Sequence, residues 1–209
     1  MHAQLSYLTA DPAALDKVVT WAERGREVHA GAPGSLGLTL TGDRERGTVL
    51  LVWFWVSGDA MREYEKDLAP WREQALGAGA ATLTVERYRI GSHAVPQRPT
   101  EGAGVRVLRV QTDPDRIEAV VQAYEDVELP WLLEADGFCT SVLLLDPGTG
   151  QGCQQTVWRD ADALAASRGR AAVARADAVA AAAMSVLSLE EHRLLLTTAT
   201  LPRHDVAVG

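Results

Sequence analysis

The stretch LTADPAALDKVV (residues 8–19) returns as VQTDPDRIEAVV (residues 110–121). Asp11-Pro12 falls on Asp113-Pro114 and Val18-Val19 on Val120-Val121, both 102 residues apart. Self-similarity at a fixed spacing signals a structural repeat. Working outward, FWVSGDAM (54–61) matches VWRDADAL (157–164) at 103, which sets Trp55 on Trp158. VERYRI (85–90) matches LEEHRL (189–194) at 104. The spacing grows one residue at a time, as single insertions in loops would make it. We expect one copy over residues 1–90 and a second over 105–200. The Gly- and Pro-containing segment 91–104 reads as a linker and 201–209 as a tail.

Each copy reads β-α-β-β-α-β. After the first strand the Asp-Pro pair marks a helix start, with Asp accepting from free N–H groups and Pro lacking one. Ile117, Val120, Val121 and Tyr124 then recur at helical spacing, matched by Leu15, Val18, Val19 and Ala22. That is one buried helical face. β-rich runs around GDRERG and DPGTGQG predict hairpins. The second helices open at the caps Ser57 and Asp160. Met61, Tyr64, Leu68 and Trp71 give the first an apolar stripe, which Pro70 is expected to disturb. In the second copy Gly169 falls near the middle of an Ala-rich helix.

Composition narrows the class. The 209 residues are 47% hydrophobic and 23% charged, with a net charge of -8. An acidic balance argues against nucleic acid as partner. The longest apolar run, Val49–Val56, is far too short to span a membrane. No basic patch followed by an apolar stretch marks an export signal. The two cysteines, Cys139 and Cys153, lie on strands of one hairpin turning near Thr149. That turn sets Cys153 opposite about Leu145, so we expect free buried thiols and a cytoplasmic protein.

The order of elements, the Gly-containing turn before strand two, and a Trp ending strand three before a helix cap and Ala resemble the dimeric α+β barrel superfamily. The chain is most similar to the antibiotic biosynthesis monooxygenase-like family. SLGLTLTGD, VWFWVSGDAM and VERYRI carry the likeness in copy one. DGFCTSVLLLD, VWRDADAL and LEEHRL carry it in copy two. The resemblance implies an α+β fold of two ferredoxin-like βαββαβ repeats forming an intramolecular pseudo-dimeric α+β barrel, with further self-association open. It also implies a small-molecule pocket between sheet and helices, and cofactor-independent oxidation of an aromatic or polyketide-like substrate. In quinone-forming members the strand-three Trp has an amide four residues earlier and a Tyr six later. Trp55 and Trp158 match the Trp and Gln154 matches the amide, whereas Leu51, Met61 and Leu164 depart from the pattern. Haem-degrading members carry an axial His on the second helix. Neither second helix here contains one, so haem is disfavoured and no cofactor is expected.

The candidate site residues follow. Trp55 and Trp158 are aromatic platforms or core, since large aromatics dominate cores. His192 has Glu190 two residues earlier on the same strand face, a pair suited to accepting a proton or, on an outer strand, merely a surface pair. Glu86 and Tyr88 repeat that pattern in copy one. His192 and Gln154 are the candidate catalytic groups. Trp55, Trp158, Tyr64, Tyr88, Trp71 and His29, which sits at a pocket rim, are the candidate substrate contacts. Arg168 and Arg175, seven apart on a helix, read as a solvated face. No spaced Cys/His set signals a metal. The rival readings are a non-catalytic binder of a hydrophobic ligand or haem, and an oxygen-independent isomerase or cyclase.

Overall fold

The computed structural model describes residues 1–29 and 31–202; of Val28 and His29 it describes the backbone alone. The first repeat comprises β1 (His2–Ala10), α1 (Leu15–His29), β2 (Ser35–Asp43), β3 (Thr48–Trp55), α2 (Gly58–Gly77) and β4 (Ala80–Ala94). The second comprises β5 (Gly104–Gln111), α3 (Ile117–Ala123), α4 (Leu129–Glu134), β6 (Phe138–Leu145), β7 (Gln151–Trp158), α5 (Ala161–Ala166), α6 (Arg168–Ala182) and β8 (Ser185–Thr197). The strands hydrogen-bond in the order β1-β3-β2-β8-β5-β7-β6-β4 as a closed barrel. The fold is a pseudo-dimeric α+β barrel of two βαββαβ repeats.

The chain divides into two compact units whose boundaries fall inside strands. The first unit is Met1–Tyr88 with Arg193–Leu201, and the second is built on Arg89–His192. Each unit therefore borrows the end of a strand from the other repeat. In the first, Thr39 to Gly42 of β2 pair with Thr197 to Arg193 of β8. In the second, Arg89 to Ala94 of β4 pair with Leu145 to Ser141 of β6. Residues 91–94, expected as linker, are thus strand. The glycine that suggested a loop is the bulge, since the register shifts between Ile90 and Ser92. A Cβ on Gly91 would sit 2.9 Å from Leu145 Cδ1, which a bulge glycine avoids.

The hairpins form as their sequences predict. Gly47 and Gly150, both at positive φ, close the two turns; a Cβ would meet Ala10 O at 2.1 Å and Thr112 O at 2.0 Å. Only glycine allows that approach. Cys153 lies opposite Leu144, one residue from the expected partner, and both cysteines are buried and free.

The helices depart from expectation in three places. Asp11 and Asp113 cap short turns before the α-helices, accepting from Ala13 N at 2.8 Å and Asp115 N at 3.1 Å. Pro70 does not break α2, which runs from its Ser57 cap to Gly77. Pro70 and Lys66, the residue four earlier, are both exposed. The carbonyl that Pro leaves without its bond therefore faces water, while Leu68 and Trp71 stay buried. The Ala-rich second helix of the second repeat is broken at Ser167 into α5 and α6. Ser167 Oγ donates to Leu164 O at 2.7 Å, and Arg106 Nη2 donates to the same carbonyl at 3.1 Å. Side-chain bonds to a helix carbonyl compete with the helix's own ladder.

Candidate functional site

The two units fill the space between strand three and the helices in opposite ways. In the first, Trp21 stacks on Trp71 with centroids 4.0 Å apart, and Trp53 meets Trp71 edge-on at 6.1 Å. Trp21 Nε1 donates to Trp71 O at 3.2 Å. Gly25 admits this plug, since a Cβ there would lie 2.4 Å from Trp71 Cζ2. Trp55 is fully buried and Tyr64 lies 5.4 Å from it. Trp55, Tyr64 and Trp71 are thus packed in one apolar core. A hollow does border Trp21, but it is an open groove over α1 and α2 with no strand residue in its lining.

At the repeat spacing, Trp21, Trp53 and Trp71 correspond to Ala123, Thr156 and Ala174. The second unit has a polar pocket between strand and helices, with Thr156 in its wall. Its lining includes Arg106, Glu128, Trp131, Gln154, Thr156 and Arg175. The free space is about 340 Å³ counted out to solvent, but its enclosed part is narrow. A second, narrower space shares Leu108, Glu128 and Gln154 and reaches Tyr124 and Met184. At that bore the pocket holds about one water.

Glu128 is the central group. It ends a π-helical turn, Tyr124–Glu128, in which Leu129 N–H reaches back to Tyr124 O. Pro130 helps explain the turn: it lacks the N–H that a continuing α-helix would offer to Asp126 O. Such wide turns recur at functional sites. Glu128 is buried and accepts a hydrogen bond from Gln154 Nε2. Burial pushes its carboxyl above the usual range, against the bond from Gln154 and the charges of Arg175 and Arg106. Tyr124 is buried beside it, and burial likewise drives its phenol up. Behind the lining Trp158 stacks on Trp131 at 6.0 Å and donates from Nε1 to Thr156 Oγ1 at 3.2 Å.

Of the residues proposed from sequence, Gln154 lines the pocket and Trp158 backs it. His192 lines neither space. Its side chain is fully buried, with Nε2 3.1 Å from Glu190 Oε2, so this is not the surface pair that an outer strand suggested. Tyr88 repeats the arrangement, donating to Glu86 Oε2 at 2.7 Å. The side chain of His29 lies outside the described residues. Arg168 is exposed and bonds Glu191, whereas Arg175 faces the pocket, so the two do not form one solvated face. Glu128 was missed, although a signal existed: it lies four residues after Tyr124, on the stripe that the apolar residues define.

Among the described residues no cluster of three or more His, Cys, Asp or Glu is placed to hold a metal ion. Among the described residues no helix is long and apolar enough to cross a membrane.

No family model matches the chain. Two uncharacterised proteins of Mycobacterium tuberculosis H37Rv are similar in sequence. Rv2557 is 26% identical over 82% of this chain and 77% of its own, and Rv2558 is 29% identical over 81% and 72%. Solved structures share the architecture over nearly the whole chain. An anthrone oxidase-like protein superposes with a TM-score of 0.68 at 16% identity, covering 99% of this chain and 96% of that one. A ferredoxin-fold protein related to antibiotic biosynthesis monooxygenases, from Listeria monocytogenes, gives 0.56 at 9% identity, covering 94% and 96%. A haem-degrading enzyme from the same species gives 0.54 at 10% identity, covering 92% and 98%. At these identities the likeness is one of fold: the chain shares the α+β barrel architecture of these monooxygenase-like ferredoxin-fold proteins.

Proposed function

We propose that the chain is a small-molecule enzyme of the monooxygenase-like kind that works in its second repeat, on an aromatic or polyketide-like substrate. The observation that carries this reading is Glu128: a buried carboxyl with a raised pKa, held by an amide, in a pocket with Trp131 in its wall. A carboxylate shifted toward neutrality is a better proton acceptor than an ordinary one. In this mechanism Glu128 takes a proton from an activated CH₂ carbon. The carbanion gives its electrons to dioxygen, forming a C–O bond and a hydroperoxide anion, which Glu128 reprotonates. Loss of the remaining C–H proton with cleavage of the O–O bond releases water and leaves a carbonyl. The sum is CH₂ + O₂ → C=O + H₂O. Gln154 is a positioning residue that orients Glu128, and Trp158 fixes Trp131 as the wall.

Trp131 and Arg175 are the half-buried members of the lining, the rest being buried. A ring therefore enters as these two shift. Haem does not fit the residues present: the lining contains no histidine.

The test is oxygen uptake with a simple anthrone in metal-free buffer. Uptake by the wild type should exceed the spontaneous rate. Glu128→Gln should lower it by about 100-fold or more, while Trp55→Phe in the first repeat should leave it within about twofold. No uptake by the wild type would overturn the reading.

A further inference from the structure

The charged groups beside the packed core of the first unit and around the pocket of the second are a swapped pair of clusters. In the first unit Glu65 takes hydrogen bonds from Gln4 and Arg72, with Arg87 at 3.1 Å. At the repeat spacing, Gln4, Glu65, Arg72 and Arg87 become Arg106, Arg168, Arg175 and Glu191. The acid has moved from the helix to the strand. Glu191 takes Arg106 at 3.2 Å and Arg168 at 3.1 Å. Arg106 is further committed to Ser167 Oγ at 3.0 Å and Leu164 O. Arg72 and Arg175 hold the same helix position, but Arg175 has lost the acid that Arg72 keeps. No carboxylate is recorded within ion-pair distance of it among the described residues. It lines the pocket beside Trp131, whose buried Nε1 lacks a hydrogen-bond partner.

A half-buried guanidinium in no ion pair, in an otherwise closed lining, is a cost that an anionic ligand would remove. We infer that Arg175 is the anion receptor of the second-repeat pocket and selects ring compounds that carry a carboxylate. The acid group would sit on the guanidinium fork and against Trp131 Nε1–H. The ring would then point inward, toward Glu128. This inference rests on the second repeat holding the ligand pocket, as proposed above.

The test compares 1-naphthoate with its neutral analogue 1-naphthalenemethanol, each titrated against the full chain and followed by tryptophan fluorescence. The wild type should bind the carboxylate at least about 10-fold more tightly, the range that a charge-assisted hydrogen bond supplies. Arg175→Gln should abolish that preference and leave affinity for the alcohol within about twofold. Arg170→Gln, an exposed arginine on the same helix, should keep it. Equal affinities in the wild type, a preference that survives Arg175→Gln, or no saturable binding of either compound would each overturn the assignment. Glu128→Gln separates this from the reading it rests on, because it should lose turnover and retain the preference. A carboxylate preference without oxygen uptake would reject the oxygenation and leave Arg175 standing. Uptake without preference would do the reverse.

Discussion

Three positions in the first repeat hold Trp21, Trp53 and Trp71, and the same three in the second hold Ala123, Thr156 and Ala174. The frame around them is common to both: Ser57 and Asp160 cap the second helices, and Gly47 and Gly150 close the hairpins. What differs is the filling. Where large aromatics pack the space, the neighbouring polar groups pair among themselves at its edge. In the second repeat, where Thr156 takes the place of Trp53, a carboxyl, an amide and a guanidinium line a pocket. Duplication within one chain thus lets one copy serve as a packed support while the other develops a pocket.

The largest effect that would break this contrast is Trp71→Ala, which gives the first repeat the small residue of the second. Trp71 is buried against Trp21 and Trp53, so the change should cost about 3–5 kcal/mol in chemical denaturation. A loss under about 1 kcal/mol would mean that the aromatic plug is not what holds the first repeat together.

Next come the two buried-side acids, which should respond to pH in opposite directions. At Glu65 burial acts upward, but the bonds from Arg72 and Gln4 and the charges of Arg72 and Arg87 outweigh it and hold the carboxyl low. Its stabilisation is therefore present above the unfolded carboxyl range and is lost as pH falls through the folded value. Glu65→Gln should cost roughly 1.5–3 kcal/mol at neutral pH, because buried Arg72 loses its acid. Burial raises Glu128, so the cost of its charge appears as pH rises from the unfolded value through the folded one. Glu128→Gln should accordingly stabilise at neutral pH and become neutral near pH 3. Denaturation curves of both variants across pH check this. Parallel pH responses would refute the contrast.

The smallest effect tests what the repeats share. Ser57→Ala and Asp160→Ala each remove one N-cap bond, to Ala60 N at 3.1 Å and Ala163 N at 2.8 Å. Each should cost about 1 kcal/mol in the same assay. A cost confined to one variant would show that the shared frame is not energetically shared.

The frame was legible because its residues act locally. Asp-Pro, the caps and the hairpin glycines impose their geometry within a few residues, so their recurrence locates both copies. The boundaries were less so, since β4 continues through a glycine whose bulge only its pairing with β6 reveals. Gln154 could be picked out on its strand, but Glu128 could not be ranked above other acids. Its importance lies in burial and in Gln154, 26 residues away. Arg175 looked like surface because the loss of its acid depends on a charge swap between helix and strand.

The borrowed strand ends also order events during synthesis. The outer edge of β2 is complete once Asp43 has been made, yet its partner, the end of β8, lies some 150 residues later. At about 5–20 residues per second, that edge waits unpaired for roughly eight to thirty seconds on each ribosome. Leu38 and Leu40 lie on it, the kind of open strand that nascent neighbours can capture. Slowing translation between codons 43 and 197 lengthens the wait, and a holdase bound near the ribosome exit would shield it.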